Sequence, residues 1–268
     1  MLLALIAGLS YSEVPAEPGG WLAQKACQLE VSRSSGPSGS CSTLEELLKR
    51  ARTVLSSAST PQERIDRLSN FFFKDQGFRV TADLSSADHL LPSAVVAGKK
   101  GYCVGLALVY LAIAEDENFP IYGVATPKHV FVRWDDGKLR RNIELFQQGR
   151  AVANEDYVRE QKIPEESIKK GVFMANLTSK EFLGFVYQNL GVLESQAEHF
   201  DASRKLYEHS LKLNPKLAAA HYNLGNDFLN QKQYTKAIHE YDKALKLYPG
   251  DPWALQNRGL AKKQIGEP

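Results

Sequence analysis

A thiol, an imidazole and a carboxylate occur in an order that can support nucleophilic catalysis: Cys103, His129 and Glu144. Cys103 follows Gly101-Tyr102 and opens the apolar run Val104 to Ala114, VGLALVYLAIA. If that run is a helix, the sulfur sits at its N-terminus, where the dipole and unpaired backbone N–H groups favour the thiolate. Gly101 lets the chain turn tightly just before it. The plainer reading of the position is a small buried hydrophobe, the common fate of a free cysteine.

A nucleophilic thiol needs a base, and the base needs an orienting group. His129 opens one strand of an apparent hairpin whose turn signal is Asp136-Gly137. With those two residues as the turn, Asp135 faces Lys138, Trp134 faces Leu139, and His129 faces Glu144. Directly opposed side chains have Cβ atoms about 4.5–5.5 Å apart, close enough for a carboxylate to hold an imidazole tautomer as in a catalytic triad. The alternative is an ordinary surface His–Glu pair. A three-residue loop, Asp135 to Gly137, would put Ile143 opposite His129 and turn Glu144 to the other face. Asn142 shares the His129 face and is the second choice of orienting group. His89 is either a further cleft residue or a plain loop histidine. Asp135 and Asp136 read as turn residues, and only the Cys103 backbone N–H can be named for an oxyanion hole.

Those side chains need elements to hold them. Residues 1 to 41 read as leader and linker, with order beginning near Ser42, where Ser42 and Glu45 could form a capping box for LEELLKRARTVL. A second helix start is marked by Thr60, Pro61 and Glu63, and its helix runs through Phe71-Phe72-Phe73 to Gly77. The run Val104 to Ala114 is apolar all round and reads as a buried helix. Strands follow at Ile121 to Ala125, Val130 to Trp134 and Leu139 to Leu145. Helices followed by a small antiparallel sheet make an α+β body, here residues 42 to 177.

The composition is that of an ordinary globular chain of 268 residues, with net charge +2 from 33 basic and 31 acidic side chains. Nothing there points to nucleic acid, and no apolar run is long enough to span a bilayer. Neither Cys-x-x-Cys nor His-Glu-x-x-His occurs, so no metal or cofactor is expected. Met1 to Leu9, MLLALIAGL, resembles the hydrophobic region of a secretory signal without its basic leader. That favours export to the periplasm over the cytoplasm; otherwise the segment is a short helix packed on the body. Exported, Cys27 and Cys41 could close the loop SRSSGPSGS with a disulfide; in the cytosol they would be free thiols.

From about Thr178 the pattern is helical to residue 268, and it repeats. Gly191, Gly225 and Gly259 are spaced by 34 residues, as are Tyr207 and Tyr241, and Pro215 and Pro249. The unit AAAHYNLGNDFLNQKQYTKAIHEYDKALKLYP resembles the tetratricopeptide (TPR) pattern at Leu224, Gly225, Phe228, Ala237, Tyr241, Ala244 and Pro249. The first unit departs at Glu194, Ser203 and Ser210, and the third keeps one helix, as a terminal cap does. About two and a half repeats thus fill 178 to 268. His199, His209, His221 and His239 read as helix-surface residues, and Asn176-Leu177-Thr178 is a chance-level glycosylation sequon.

The run GKKGYCVGLALVYLAIAE, then FPIYGVATPKHVFVRWDDG, then RRNIELF is similar to the transglutaminase-like superfamily. With the repeats behind it, the chain resembles bacterial transglutaminase-like proteins that carry tetratricopeptide repeats. The motif-bearing stretch is residues 98 to 149, and the resemblance extends roughly over 44 to 268. It implies a papain-like core, with Cys103 as nucleophile, His129 as base and Glu144 as orienting acid where the family usually has Asp. Some of the narrower group have lost the cysteine; this chain retains Cys103 and His129.

The expected activity is therefore thiol-dependent acyl transfer on a peptide or protein amide, as peptidase, amidase or amine transferase, with a TPR groove for a protein or peptide ligand. The rival is a non-catalytic TPR scaffold on a transglutaminase-like body.

Overall fold

The computed structural model describes residues 20–33 and 41–267. These gather into two compact units: one runs to Gln161 and takes in Asn176–Leu183, and the other holds Lys162–Ala175 and the chain from Gly184 on. Met1 to Leu9 and most of SRSSGPSGS lie outside the described residues.

Order begins well before Ser42. Helix α1 (Trp21–Arg33) buries Leu22, Ala23, Ala26 and Leu29, a helical spacing that makes one apolar face. A disulfide joins its Cys27 to Cys41, and the Leu22 N–H donates to Glu115 Oε2 at 2.7 Å. The expectation of an unpacked leader through residue 41 is thus corrected: apolar spacing and a covalent tie hold α1 in place. Helix α2 (Ser42–Leu55) takes Cys41 as its N-cap, without a cap bond from that side chain, and Ser42 is its first helical residue. The capping box at Thr60 forms. In α3 (Pro61–Asn70), Glu63 N donates to Thr60 Oγ1 at 3.2 Å and Thr60 N to Glu63 Oε2 at 3.3 Å. The chain then widens into a π turn, Phe71–Asp75, with all three phenylalanines buried.

Strand β1 (Arg79–Val80) pairs in parallel with β2 (Lys100–Gly101), and α4 (Pro92–Gly98) lies between them in sequence. Helix α5 (Cys103–Asp116) is buried at every residue from Cys103 to Ala114, as its unbroken apolar run demands. A Cβ at Gly105 would lie 2.2 Å from the His89 carbonyl oxygen, so the loop carrying His89 crosses α5 where only glycine fits. An antiparallel sheet follows: β3 (Ile121–Ala125), β4 (Val130–Asp135), β5 (Arg140–Ile143) and, beyond α6 (Asn154–Gln161), β6 (Asn176–Leu177), in the order β5-β4-β3-β6. The first unit is therefore α+β, as expected.

The hairpin register differs from expectation. Asp135 pairs with Arg140, Trp134 with Arg141, Arg133 with Asn142 and Val132 with Ile143. The turn is Asp136 to Leu139. Asp136 Oδ1 accepts from Lys138 N at 2.9 Å and Leu139 N at 2.6 Å, and its Oδ2 accepts Trp134 Nε1 at 3.0 Å. That carboxylate builds a wider turn than Asp136-Gly137 alone would. Every pairing slides by two residues, and a slide of two leaves each side chain on its original face.

The second unit is helical: α7 (Glu165–Lys169), α8 (Ser179–Gln196, in this unit from Gly184), α9 (Phe200–Leu213), α10 (Ala218–Asn230), α11 (Tyr234–Leu247) and α12 (Pro252–Gln264). The repeat has a physical core. A Cβ at Gly191 would stand 2.5 Å from the Tyr207 ring, and one at Gly225 2.5 Å from Tyr241. Each glycine thus seats the tyrosine of the following helix. The departure at Ser203 has a partner: its hydroxyl and that of Ser195 both donate to the buried Asp227 carboxylate.

Candidate functional site

The site is built where the start of α5 meets the start of β4. Cys103 is the first residue of α5, behind Tyr102, whose N–H donates to the His89 carbonyl at 2.8 Å. The thiol is 5% exposed. Burial pushes it up to about 11, against the backbone N–H groups of Val130, Val104 and Cys103, which favour the ionised form; the Glu144 charge adds to the rise. The helix terminus does lower the cost of ionisation, but the loss of hydration outweighs it. A sulfur that holds its proton this firmly gives it up at neutral pH only to a base in contact.

His129 immediately precedes β4 and is held by its own carbonyl, which accepts from Thr126 N at 2.8 Å and Thr126 Oγ1 at 3.0 Å. Its Nε2 lies 2.9 Å from both oxygens of Glu144. Among the described residues, none hydrogen-bonds its Nδ1. Glu144 is 3% exposed. It also accepts from the Phe146 N–H at 2.9 Å and from the Tyr157 hydroxyl at 2.6 Å. Burial alone would raise this carboxyl, yet the His129, Tyr157 and Phe146 donors hold it below the ordinary carboxylate value. The expected contact between His129 and Glu144 therefore exists, by a diagonal reach across the hairpin.

Tyr157, on α6, is the residue the sequence reading missed. Its ring stacks on Phe131 at 4.3 Å with planes 3° apart, and this aims its hydroxyl at Glu144. No spacing rule marks it, because a tyrosine on a short helix reads as core. Asn142 does not contact His129. Its Oδ1 accepts Arg133 Nε at 2.7 Å and its Nδ2 donates to the Val152 carbonyl at 2.8 Å. Arg133 is itself 1% exposed and also donates to Asn176 Oδ1 (3.1 Å) and Asn154 Oδ1 (2.8 Å). This network ties β4 to β5, β6 and α6. Burial lowers the guanidinium to about 10, with the Asp135 charge opposing. Asn176 is thereby engaged on both sides of its amide, since its Nδ2 donates to Asp135 Oδ2 at 2.8 Å, so the sequon serves packing.

The remaining candidates fall elsewhere. His89 Nδ1 is buried with no hydrogen bond, and Asp83 Oδ2 is 3.7 Å away. His199 pairs with Glu194 at 3.0 Å and His209 stacks near Tyr187. His221 is no surface residue: it is largely buried and meets Glu240 at 2.7 Å. His239 is exposed. A cleft of about 780 Å³ opens beside the imidazole, lined by His129, Glu144, Phe146, Arg150, Tyr157 and Glu160 among others; Cys103 is not part of its lining. Among the described residues, no group of three His, Cys, Asp or Glu side chains could hold a metal ion, and no helix is long and apolar enough to cross a membrane.

An α+β unit with a helix-start cysteine and a His–Glu pair at the ends of adjoining strands, continued by paired helices of 34-residue period, defines the class. A transglutaminase-like superfamily model matches residues 40–183, and tetratricopeptide repeat models match 186–217 and 218–251. The chain belongs to the transglutaminase-like superfamily and carries two TPR repeats behind that domain. It is 34% identical over 83 residues to human Tetratricopeptide repeat protein 6, covering 31% of this chain and 15% of that one. It is 32% identical over 66 residues to Hsp70-Hsp90 organizing protein 1 of Arabidopsis thaliana, covering 25% and 12%. The chain thus spans a small part of those repeat proteins. Against UPF0162 protein BU173 of Buchnera aphidicola subsp. Acyrthosiphon pisum, identity is 21% over 239 residues, covering 87% of this chain and 76% of that one. Among solved structures, MamA aligns at TM-score 0.31 with 26% identity over 33% of this chain and 56% of that one. Menin aligns at 0.47 with 11% identity over 99% and 72%. Neither alignment is close enough to carry an argument.

Proposed function

We propose that the first unit catalyses thiol-dependent acyl transfer on a peptide or protein amide, and that the TPR unit recruits a protein partner. The order of cysteine helix, histidine strand and acid strand supports a papain-like core. Cys103 Sγ attacks the amide carbonyl, forming the C–S bond while His129 takes the thiol proton. His129 then returns that proton to the leaving amine as the C–N bond breaks. Water or a second amine resolves the thioester, giving hydrolysis or transfer. One observation carries this reading. Glu144 clamps His129 Nε2 and leaves Nδ1 without a partner among the described residues, just ahead of the strand whose first N–H, that of Val130, bears on the Cys103 sulfur.

The second reading is a non-catalytic scaffold. It is favoured by the burial of Cys103 and by its absence from the cleft beside His129. The deciding experiment incubates the protein with casein and a fluorescent primary amine, following amine incorporation and ammonia release. Turnover that disappears in both Cys103→Ala and His129→Ala supports the enzyme; a wild-type chain without turnover leaves the scaffold.

The Cys27–Cys41 disulfide supports an exported, oxidising setting. Finding both thiols reduced in cells trapped with acid and alkylating reagent would argue for a reducing compartment.

A further inference from the structure

We infer that Asn154 is a positioning residue of the thiol site: held by the buried Arg133, it fixes the helix that carries Tyr157 to the Glu144 carboxylate. The inference rests on the acyl-transfer reading, in which Glu144 orients His129.

One face of the hairpin carries the arrangement. His129, Phe131 and Arg133 alternate along β4 and the residue before it, so they share a side. Asn142, paired with Arg133, and Glu144 alternate in the same way along β5 and the residue after it. Helix α6 meets that face: Tyr157 stacks on Phe131, and the Arg133 guanidinium stands 5.5 Å from the centre of the same ring.

A helix of eight residues is too short to hold itself, and the residues α6 buries are Tyr157 and Val158. Polar ties at its two ends therefore set its place. At its first residue, Asn154 Oδ1 accepts from Arg133 Nη2 at 2.8 Å and from Asn142 Nδ2 at 2.9 Å. At its last, Gln161 Oε1 accepts the Lys128 N–H at 3.1 Å. Tyr157 is three residues from Asn154, on the same side of the helix. A rotation of α6 by one residue, about 100°, would swing the Tyr157 hydroxyl away from Glu144. Two donors converging on one amide oxygen resist that rotation. Packing alone does not call for a buried cation, since apolar side chains of similar volume serve as well. The fixed fork of a guanidinium instead selects directed acceptors, here the amide oxygens of Asn142, Asn154 and Asn176.

The test follows iodoacetamide alkylation of the folded protein against pH. Cys103 is the free cysteine, because Cys27 and Cys41 are bonded to each other, and no turnover is needed. Wild type is compared with Asn154→Ala, Asn154→Asp, Tyr157→Phe, His129→Ala and the double variant Asn154→Ala with Tyr157→Phe. The expected result is slower alkylation near neutral pH, by about twofold or more, in Asn154→Ala and in Tyr157→Phe. The double variant should lose no more than either single one, and Asn154→Asp, which keeps an acceptor oxygen, should react at the wild-type rate. A role in stability alone would lower the melting temperature of Asn154→Ala and leave its rate unchanged, which overturns the inference; so do losses that multiply in the double variant. Should Asn154→Ala not fold, Asn154→Ser is read in the same way. If His129→Ala alkylates as wild type does, the acyl-transfer reading fails and this inference with it. A slow His129→Ala beside an unchanged Asn154→Ala overturns this inference alone.

Discussion

Glu144 lies one step beyond the Val132–Ile143 pair, opposite Phe131 in register, and its carboxylate still meets the His129 imidazole at 2.9 Å. A diagonal neighbour on an antiparallel pair is within reach of a long side chain. Glutamate has that length where aspartate does not. The residue type at 144 therefore suits the wider Asp136–Leu139 turn.

That geometry predicts graded effects. Glu144→Gln keeps the shape but loses the charge and one orienting arrangement, so turnover should fall by about 10- to 100-fold, less than on removal of Cys103 or His129. Tyr157→Phe should cost less again, since Phe146 N–H and His129 still hold the carboxylate. Equal losses for Glu144→Gln and Cys103→Ala would mean that Glu144 does more than orient.

Acid stability should report the same carboxylate. Its folded-state value is depressed below the ordinary 4.5. The stability it contributes is therefore present above that value and is lost as pH falls through the depressed one. Urea midpoints measured from neutral pH downwards should fall below about pH 4.5 more steeply in wild type than in Glu144→Gln. Parallel curves would remove Glu144 from the acid response.

The thiol gives a second pH signature. With burial holding Cys103 up to about 11, His129→Ala should react with iodoacetamide only as pH climbs towards that value. On the proposed mechanism wild type should react at lower pH, with His129 as the base that takes the proton. Superimposable profiles would show that His129 is not the base for this sulfur.

The repeat glycines separate cleanly. At Gly225 a Cβ would meet Tyr241 at 2.5 Å, whereas at Gly259 nothing lies within 4 Å. Gly225→Leu should destabilise the TPR unit by about 1–3 kcal/mol through overpacking. Gly259→Leu should be neutral or stabilise by up to about 1 kcal/mol, the helix-propensity gain. Denaturant melts followed by far-ultraviolet circular dichroism distinguish them, and equal effects would contradict the packing described.

Reduction tests the N-terminal helix. The Cys27–Cys41 bond spans 14 residues, a loop for which chain entropy gives about 3 kcal/mol. Dithiothreitol should lower the melting temperature and expose α1 to limited proteolysis, while α1 in the oxidised protein resists cleavage. Rapid cleavage of oxidised α1 would mean that the helix is not docked as Leu22 and Glu115 indicate.

The sequence by itself determined whatever local spacing encodes. The all-apolar run after Cys103 had to be buried, the Thr60–Glu63 box had to start a helix, and the 34-residue period had to make paired helices with Gly225 against Tyr241. It left the parity of the hairpin open, since a three-residue loop would have turned Glu144 to the other face. Tertiary structure decided the rest. Asp136 set the turn through side-chain bonds that a Gly-centred turn signal does not reveal. Asn142 went to Arg133, a buried cation that needed several acceptors at once. Tyr157 reached Glu144 from a helix beyond the hairpin, and α1 was fastened by a disulfide and by Glu115 on α5. The protonation of Cys103 followed from the same cause: a helix terminus is local, but loss of hydration depends on everything packed around the sulfur.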